Sequence, residues 1–351
     1  MTTFYEVVNQ SQPQPRFQYI PLGTPDQTVD HGEDVIQGLS QVPKTLPCRY
    51  FYDDQGSLLF EQICTLPEYY PTRTERRILT TAAAEIAEFT GGCELVELGS
   101  GSSSKTRLLL DAYSQLAAPL HYCPIDVSGG MLKTSALELL DQYPQLHICG
   151  RVGTYEQALV NLSGDSLGEP TRVISDPDLP RLLIFLGSTI GNLDAVTLQK
   201  FLLQVQQALR PGDYFLLGVD LQKSIEILEP AYNDAQGITA AFNLNCLRHL
   251  NWRFNGNFDL SQFAHWAFYN TAANQIEMHL RSLVSQTVTL QTLNFRGALA
   301  AAETIQTEIS RKFDLPTLKT ELQAYQLQPL HSWTDPQHWF ALLLCQRSIS
   351  A

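Results

Sequence analysis

The chain has 351 residues, 44% of them hydrophobic and 10% aromatic, which suits two ordinary domains with packed cores and excludes wholesale disorder. Lys plus Arg number 23 against 36 Asp plus Glu, a formal net charge of −13. Binding along a phosphate backbone needs a basic footprint, so no nucleic-acid partner is expected and a small-molecule ligand is. The seven cysteines are scattered, odd in number and never spaced C-x-x-C, the pattern of free thiols in a reducing cytosol. Met1–Leu22 is polar, with QSQPQP at its middle, and lacks the apolar h-region of a secretory leader. The apolar runs Leu182–Leu186, Tyr214–Leu217 and Trp339–Cys345 fall short of the ~20 residues a bilayer demands. A soluble, cytoplasmic protein without membrane contact is predicted.

Residues 1 to about 46 carry scattered Pro, Gly and Asp with little periodicity and read as an irregular arm. Glu75–Phe89 has helical spacing, followed by a Gly91-Gly92 turn and the apolar run Leu95–Leu98: helix, turn, strand. A Gly/Ser loop at 99–104 then opens the helical stretch KTRLLLDAYSQL, and a strand near His121–Ile125 ends in Asp126. Helical MLKTSALELLDQY, a strand around His147–Cys149, LLIFLG at 182–187, a helix near 195–209 and YFLLGVDL at 214–221 continue the alternation. Alternating strands and helices predict an α/β fold with a mainly parallel sheet covered on both faces. Between about 222 and 312 the rhythm breaks. Helical Gly237–Leu250 leads into the strand-like QFAHWAFYN, IEMHLRSLVSQTVTL and TIQTEIS, a smaller α+β unit, before LPTLKTELQAYQ and WFALLLC return to the first sheet.

ELGSGSSSKT (Glu97–Thr106) joins a strand to a helix. Gly99 and Gly101 let ligand atoms approach the backbone, since glycine has no Cβ and tolerates φ > 0. The third position of a G-x-G-x-x-G fingerprint is Ser104, and no GK[ST] follows, which weakens the dinucleotide and triphosphate readings. With Asp126 ending the next strand, the loop suits a ligand with ribose hydroxyls and no pyrophosphate, such as S-adenosylmethionine. The bland alternative is a tight strand-to-helix connection. Tyr52, Tyr69 and Tyr70 stand near a Pro-bounded turn and could line a pocket or pack in the core. Asn192, in LGSTIGNLD, sits where a strand ends, able to grip an amine or carboxylate or to cap the next helix. Glu308 and Ser310 share one side of a strand, where a carboxylate beside a hydroxyl could hold a nitrogen heterocycle or face solvent.

The eight histidines show no H-x-x-x-H or Cys/His cluster, so no metal is expected. The single G-x-S-x-G match, Gly164–Gly168, lies in a polar stretch leading to Pro170 rather than between a strand and a helix, and reads as a loop.

Seven successive blocks resemble the histidine Nα-methyltransferases of ergothioneine biosynthesis: RYFYDDQGSLLFEQICTLPEYYPTRTE, LVELGSGSSSKTRLLLDA, FLGSTIGNL, AYNDAQGITAAFNLNCL, IEMHLRS, TEISRKF and WTDPQHWFALLL. The resemblance implies a class I Rossmann-like methyltransferase core with a second, smaller α+β substrate-binding domain. The corresponding divisions are an N-terminal segment 1–73, a core 74–221, an insertion 222–312 and a return 313–351. It implies trimethylation of the α-amine of L-histidine by S-adenosylmethionine, giving hercynine, by a monomer without a metal. Gly99, Gly101, Lys105, Asp126, Thr154 and Tyr155 would belong to the cofactor site, with Asp126 on the ribose. Tyr69, Glu308 and Ser310 would recognise the imidazole with Met278 beside it, and Asn192 with Tyr232 would hold the carboxylate. Tyr52 and the Gly187 carbonyl would lie near the amine. One departure stands out: where the family usually has an Asp-aromatic pair that takes the adenine amino group, this chain has Thr154-Tyr155, which predicts weaker cofactor binding. The competing functions are N-methylation of another aromatic amino acid and a catalytically silent binding protein for the same ligands.

Overall fold

A computed structural model describes residues 16–22, 31–164 and 179–348; all but the first residue of the Gly164–Gly168 match lies outside them. Strand β1 (Phe17–Pro21), helix α1 (Glu33–Ser40), the short strand β2 (Lys44–Thr45) and helices α2 (Asp54–Thr65) and α3 (Tyr70–Thr90) come first. The alternating segment runs β3 (Glu94–Leu98), α4 (Thr106–Tyr113), β4 (Leu120–Asp126), α5 (Gly129–Gln142), β5 (Leu146–Val152), α6 (Tyr155–Leu162), β6 (Arg181–Phe185), α7 (Ala195–Ala208) and β7 (Tyr214–Asp220). Next come α8 (Ile225–Leu228), α9 (Ile238–Phe254), β8 (Phe263–Asn270), β9 (Gln275–Ser282), β10 (Gln286–Leu290), β11 (Phe295–Leu299) and β12 (Thr304–Arg311). The chain closes with α10 (Leu315–Ala324), β13 (Leu327–Thr334) and β14 (Phe340–Arg347).

Eight strands form one sheet in the order β1-β5-β4-β3-β6-β7-β14-β13, all running the same way except β14, which is antiparallel to both its neighbours. Every residue of β3 and β6 is buried, as a strand covered on both faces requires. Leu182 and Ile184 enter the core under α3 and α4, while Leu183 and Phe185 enter the opposite core under α7, the two-residue period of a strand shared by two layers. The strand order reverses between β3 and β6, the point at whose carboxyl ends open α/β sheets place their ligands.

Two local expectations are corrected. The arm contains the parallel edge strand Phe17–Pro21 and the helix α1. FQYIP shows little periodicity of its own, and its hydrogen-bond partners come from β5, far along the chain. The helix expected from Glu75 begins at Tyr70, with Pro71 in its first turn where a missing N–H costs nothing. The 73/74 division therefore falls inside α3.

A second sheet, β2-β12-β9-β8, carries its own core of Leu46, Tyr50, Phe51, Phe242, Leu247, Met278 and Ile305 among others. The two sheets meet at the turn Thr189–Asn192 beyond β6. A Cβ on Gly191 would stand 2.9 Å from the backbone oxygen of Arg311, so only glycine lets this turn lie against β12. Asn192 and Ser310 are thereby carried to one place from opposite units.

Candidate active site

The cofactor half of the site is built on the carboxyl ends of β3 to β6. Gly99 and Gly101 adopt φ of +71° and +50°, and nothing lies within 4 Å of where their Cβ atoms would be, so the loop presents bare backbone to open space. Gly99 and Ser100 donate to the Ile125 carbonyl at 2.8 and 3.1 Å, tying the loop to β4. Asp126 accepts from the Gly101 N–H at 2.8 Å through one oxygen and from Ser128 N–H at 2.9 Å through the other. Each carboxylate oxygen keeps a lone pair for a ligand hydroxyl. The open cradle, the acidic strand end and the absence of a lysine aimed at a polyphosphate fit a nucleoside cofactor. Thr154 caps α6 through a reciprocal capping box with Gln157, and Tyr155 packs its ring on Phe185 and Phe201 at 5.9 and 5.7 Å. Aspartate is an equally good N-cap. Thr154→Asp should therefore keep α6 intact and tighten S-adenosylhomocysteine binding a few-fold through a charge-assisted hydrogen bond, about twice the strength of a neutral one; unchanged calorimetric affinity would refute this.

Beneath this loop lies a carboxylate not assigned from sequence. Glu97 is buried and accepts a hydrogen bond from Thr106 Oγ1 at 2.6 Å and another from Tyr122. Burial pushes it up to about 7, against the pull of those two hydroxyls and Lys105. A carboxyl whose folded value is raised contributes stability below its unfolded value of about 4.5 that is lost as pH rises through about 7. The melting temperature of the wild type relative to Glu97→Gln should accordingly fall between pH 4.5 and 7 and then level off, as read by thermal scans across that range.

The other half of the site comes from α2, α3, β9, β12 and the turn before α9. Tyr52 keeps 39% of its surface accessible although Phe51, Phe60 and Phe242 stand around its ring at 5.7 to 6.5 Å. The charge of Glu308 on β12 acts on its hydroxyl. Burial and that neighbouring negative charge hold the phenol well above its ordinary value. The Tyr69 ring meets Phe60 at 6.3 Å and Tyr232 at 6.2 Å, and burial, with the charge of Glu308 as a lesser cause, holds its phenol well above the ordinary value. Met278 is buried and sits directly across the β9–β12 ladder from Glu308. Burial pushes Glu308 up to about 7, with Lys312 opposing. Tyr70, by contrast, is a core residue whose hydroxyl donates to Asp220 at 2.7 Å. Asn192 lies within hydrogen-bonding reach of Cys48, itself beside Glu308, and burial raises that thiol to about 12. The helix-capping alternative for Asn192 fails, since Asp194 caps α7.

Two further residues organise these halves. Glu75, fully buried on α3, accepts from the Gly187 N–H at 2.8 Å through Oε1 and pairs with Lys105 through Oε2. A Cβ on Gly218 would stand 2.0 Å from Glu75 Oε1, so glycine in β7 makes room for the carboxylate. The sequence held a signal: Glu75 occupies the apolar stripe of α3 with Ile78, Leu79 and Ala82, where an acid needs a buried partner. Lys312 is the second. It follows Glu308 and Ser310 at the same two-residue spacing and is buried against Asp220 Oδ2 at 2.8 Å.

A bare glycine loop at a topological switch point, with a cluster of tyrosine rings and the Glu308 carboxylate in the adjoining unit, is the arrangement of an enzyme that brings a nucleoside cofactor to a small molecule. The family of histidine-specific, S-adenosylmethionine-dependent methyltransferases matches residues 31–347. Histidine N-alpha-methyltransferase of Mycolicibacterium smegmatis is 42% identical over 90% of this chain and 94% of its own length. The protein of the same name from Mycobacterium tuberculosis is 39% identical over the same shares. Ergothioneine biosynthesis protein 1 of Neurospora crassa is 34% identical over 65% of this chain and 26% of its own length. The chain belongs to the histidine-specific, S-adenosylmethionine-dependent methyltransferase family. Its fold is the class I Rossmann-like core that the resemblance implied, with a smaller α+β unit beside it. Among the described residues no helix is long and apolar enough to cross a membrane.

Proposed function

We propose that this enzyme transfers three methyl groups from S-adenosylmethionine to the α-amine of L-histidine, giving hercynine for ergothioneine biosynthesis. The observation that carries this reading is the meeting of Glu308 with Tyr69, Tyr232, Ser310 and Met278 in one pocket. A half-buried carboxylate beside a buried hydroxyl is costly against a purely apolar ring and well used by an imidazole.

Gly99, Gly101, Lys105, Asp126, Thr154 and Tyr155 hold the cofactor, which when bound supplies an electrophilic methyl group on a sulfonium. The chain's own contribution is positioning and exclusion of water. Asn192 holds the substrate carboxylate through its amide N–H groups, while Tyr232, whose phenolic proton goes to Ser310, lines that end of the pocket. Glu308 and Ser310 hold the ring, with Met278 beside it. Tyr52 stays a neutral phenol, so its oxygen accepts from the amine N–H and aims the nitrogen lone pair, with the Gly187 carbonyl as a second acceptor. The rings of Phe51, Phe60 and Phe242 wall the amine from bulk water. Each transfer would leave S-adenosylhomocysteine and an alkylammonium, which gives a proton to water before its nitrogen has a lone pair again; the trimethylated product has no such proton to lose and the reaction stops. The working unit is a cytoplasmic monomer in this reading, the compartment supported by seven free thiols.

The test is incubation with S-adenosylmethionine and each of the twenty amino acids, with products read by mass spectrometry. A histidine species heavier by about 42 Da, three groups of ~14 Da each replacing a proton on the amine, is expected. Methylation of another aromatic amino acid instead would overturn the roles of Glu308 and Ser310. Cofactor binding without any product would favour a silent binding protein.

A further inference from the structure

Ser310, placed at the ring of the substrate, has its hydrogen bonding largely committed. Its Oγ accepts from Tyr232 Oη at 2.9 Å and from Lys312 Nζ at 2.8 Å. Lys312 also donates to Tyr232 Oη at 3.0 Å, which turns the phenolic proton toward Ser310. A serine hydroxyl has two acceptor positions and one proton. Both acceptor positions are taken, so only the proton is left for a ligand. Lys312 cannot swing away: its side chain is 0% exposed and its ammonium is held by Asp220 Oδ2 at 2.8 Å, with Tyr70 and Lys223 backing that carboxylate.

We propose that Lys312 is a positioning residue that sets the polarity of the substrate pocket: by filling the acceptor sites of Ser310 it makes this hydroxyl a pure donor, so the pocket takes a neutral imidazole in a single tautomer. The inference rests on the histidine reading above. Glu308, an acceptor, takes the ring N–H, and Ser310 donates to the ring nitrogen that carries the lone pair. An imidazolium, with two N–H groups and no lone pair, confronts the Ser310 proton and is refused. A pyrrole-like ring with no second nitrogen leaves that proton unpaired and is refused at a similar cost. Lys312 touches no reacting atom; it acts through Ser310 and Tyr232.

The test is a double-mutant cycle on the full enzyme with Lys312→Met, Ser310→Ala and the pair, measuring KM for L-histidine and for S-adenosylmethionine from pH 6 to 9. Lys312→Met is expected to raise the histidine KM at least tenfold and the cofactor KM less than twofold. The two substitutions should not multiply, the pair lying within about twofold of the worse single variant, as for residues in one network. The acid limb of kcat/KM for histidine should also move to higher pH. Glu308 is faced by Lys312 on its own strand and by Tyr52, Tyr69, Tyr232 and Cys48 from the elements around it, so the loss of Lys312 removes the cation acting on it. S-adenosylhomocysteine binding checks that each variant is folded. If Lys312→Met does not fold, Lys312→Met/Asp220→Asn removes the carboxylate left short of a partner, and the cycle is repeated on that background. Multiplicative effects, or a fall in kcat with both KM values and the acid limb unmoved, would overturn the inference while leaving histidine methylation by the wild type intact. A wild type that leaves histidine unmethylated would overturn both.

Discussion

Glu308→Ala raises the KM for L-histidine by roughly 10- to 150-fold, the equivalent of losing a charge-assisted hydrogen bond of about 1.5–3 kcal/mol, and leaves the KM for S-adenosylmethionine within about twofold. The asymmetry follows from location. Glu308 stands on β12 among Tyr52, Tyr69, Tyr232 and Cys48, all on the substrate side, whereas the glycine loop and Asp126 belong to the large sheet. The pH dependence carries a second signature. Glu308 titrates near 7 because burial disfavours its charged form more than Lys312 restores it. Below that value its oxygen is protonated and stops accepting the ring N–H, so kcat/KM for histidine falls as pH drops through about 7. Glu308→Gln, which has no such proton, should lose the part of that limb that Glu308 contributes and keep the fall that protonation of the substrate's own imidazole imposes. Steady-state kinetics in both substrates decide the matter: equal rises in both KM values would remove Glu308 from substrate recognition.

Glu75→Ala should impair both substrates together and destabilise the enzyme. Its carboxylate joins Lys105, beside the glycine loop, to the Gly187 N–H at the end of β6, the two residues proposed for cofactor and amine. Removing it strands a largely buried ammonium and a backbone donor at once, and breaking such a pair by deleting one partner costs about 3–5 kcal/mol. Glu75→Gln keeps the shape and an oxygen for Gly187 but loses the ion pair, so it should fold and still lose about tenfold or more in kcat/KM for each substrate. A Glu75→Gln enzyme with wild-type kinetics would show that Lys105 needs no counter-ion to do its work. Contrasted with Glu308→Ala, the pair of variants separates a residue that reads the substrate from one that aligns both reactants.

Much of the core was legible because its signals are local. LVELGSG announces a strand and a bare-backbone turn through apolar runs and glycine, and Asp126 ends the next strand at the same edge. The two-residue spacing of Glu308 and Ser310 likewise placed both on one side of β12. Phe17–Pro21 was not legible, since its pairing partner is β5 and nothing within five residues encodes a parallel edge strand. Glu75 and Lys312 were readable as residue types and not as roles, because each acquires its function from groups far away in the chain: Gly187 and Lys105 for one, Asp220 and Tyr232 for the other.

By itself, then, the sequence determined the alternation of strands and helices, the bare glycine loop and, through its seven blocks, the family and the residues to watch. Tertiary structure alone decided that Tyr70 is a core residue, that Asp194 rather than Asn192 caps α7, and that Gly191 lets the β6 turn touch β12. The physical reason is range. Periodicity and turn chemistry act over a few residues, while burial, desolvation and the direction of a hydroxyl proton depend on neighbours brought in from elsewhere, as Lys312 is brought to Asp220 and Tyr232.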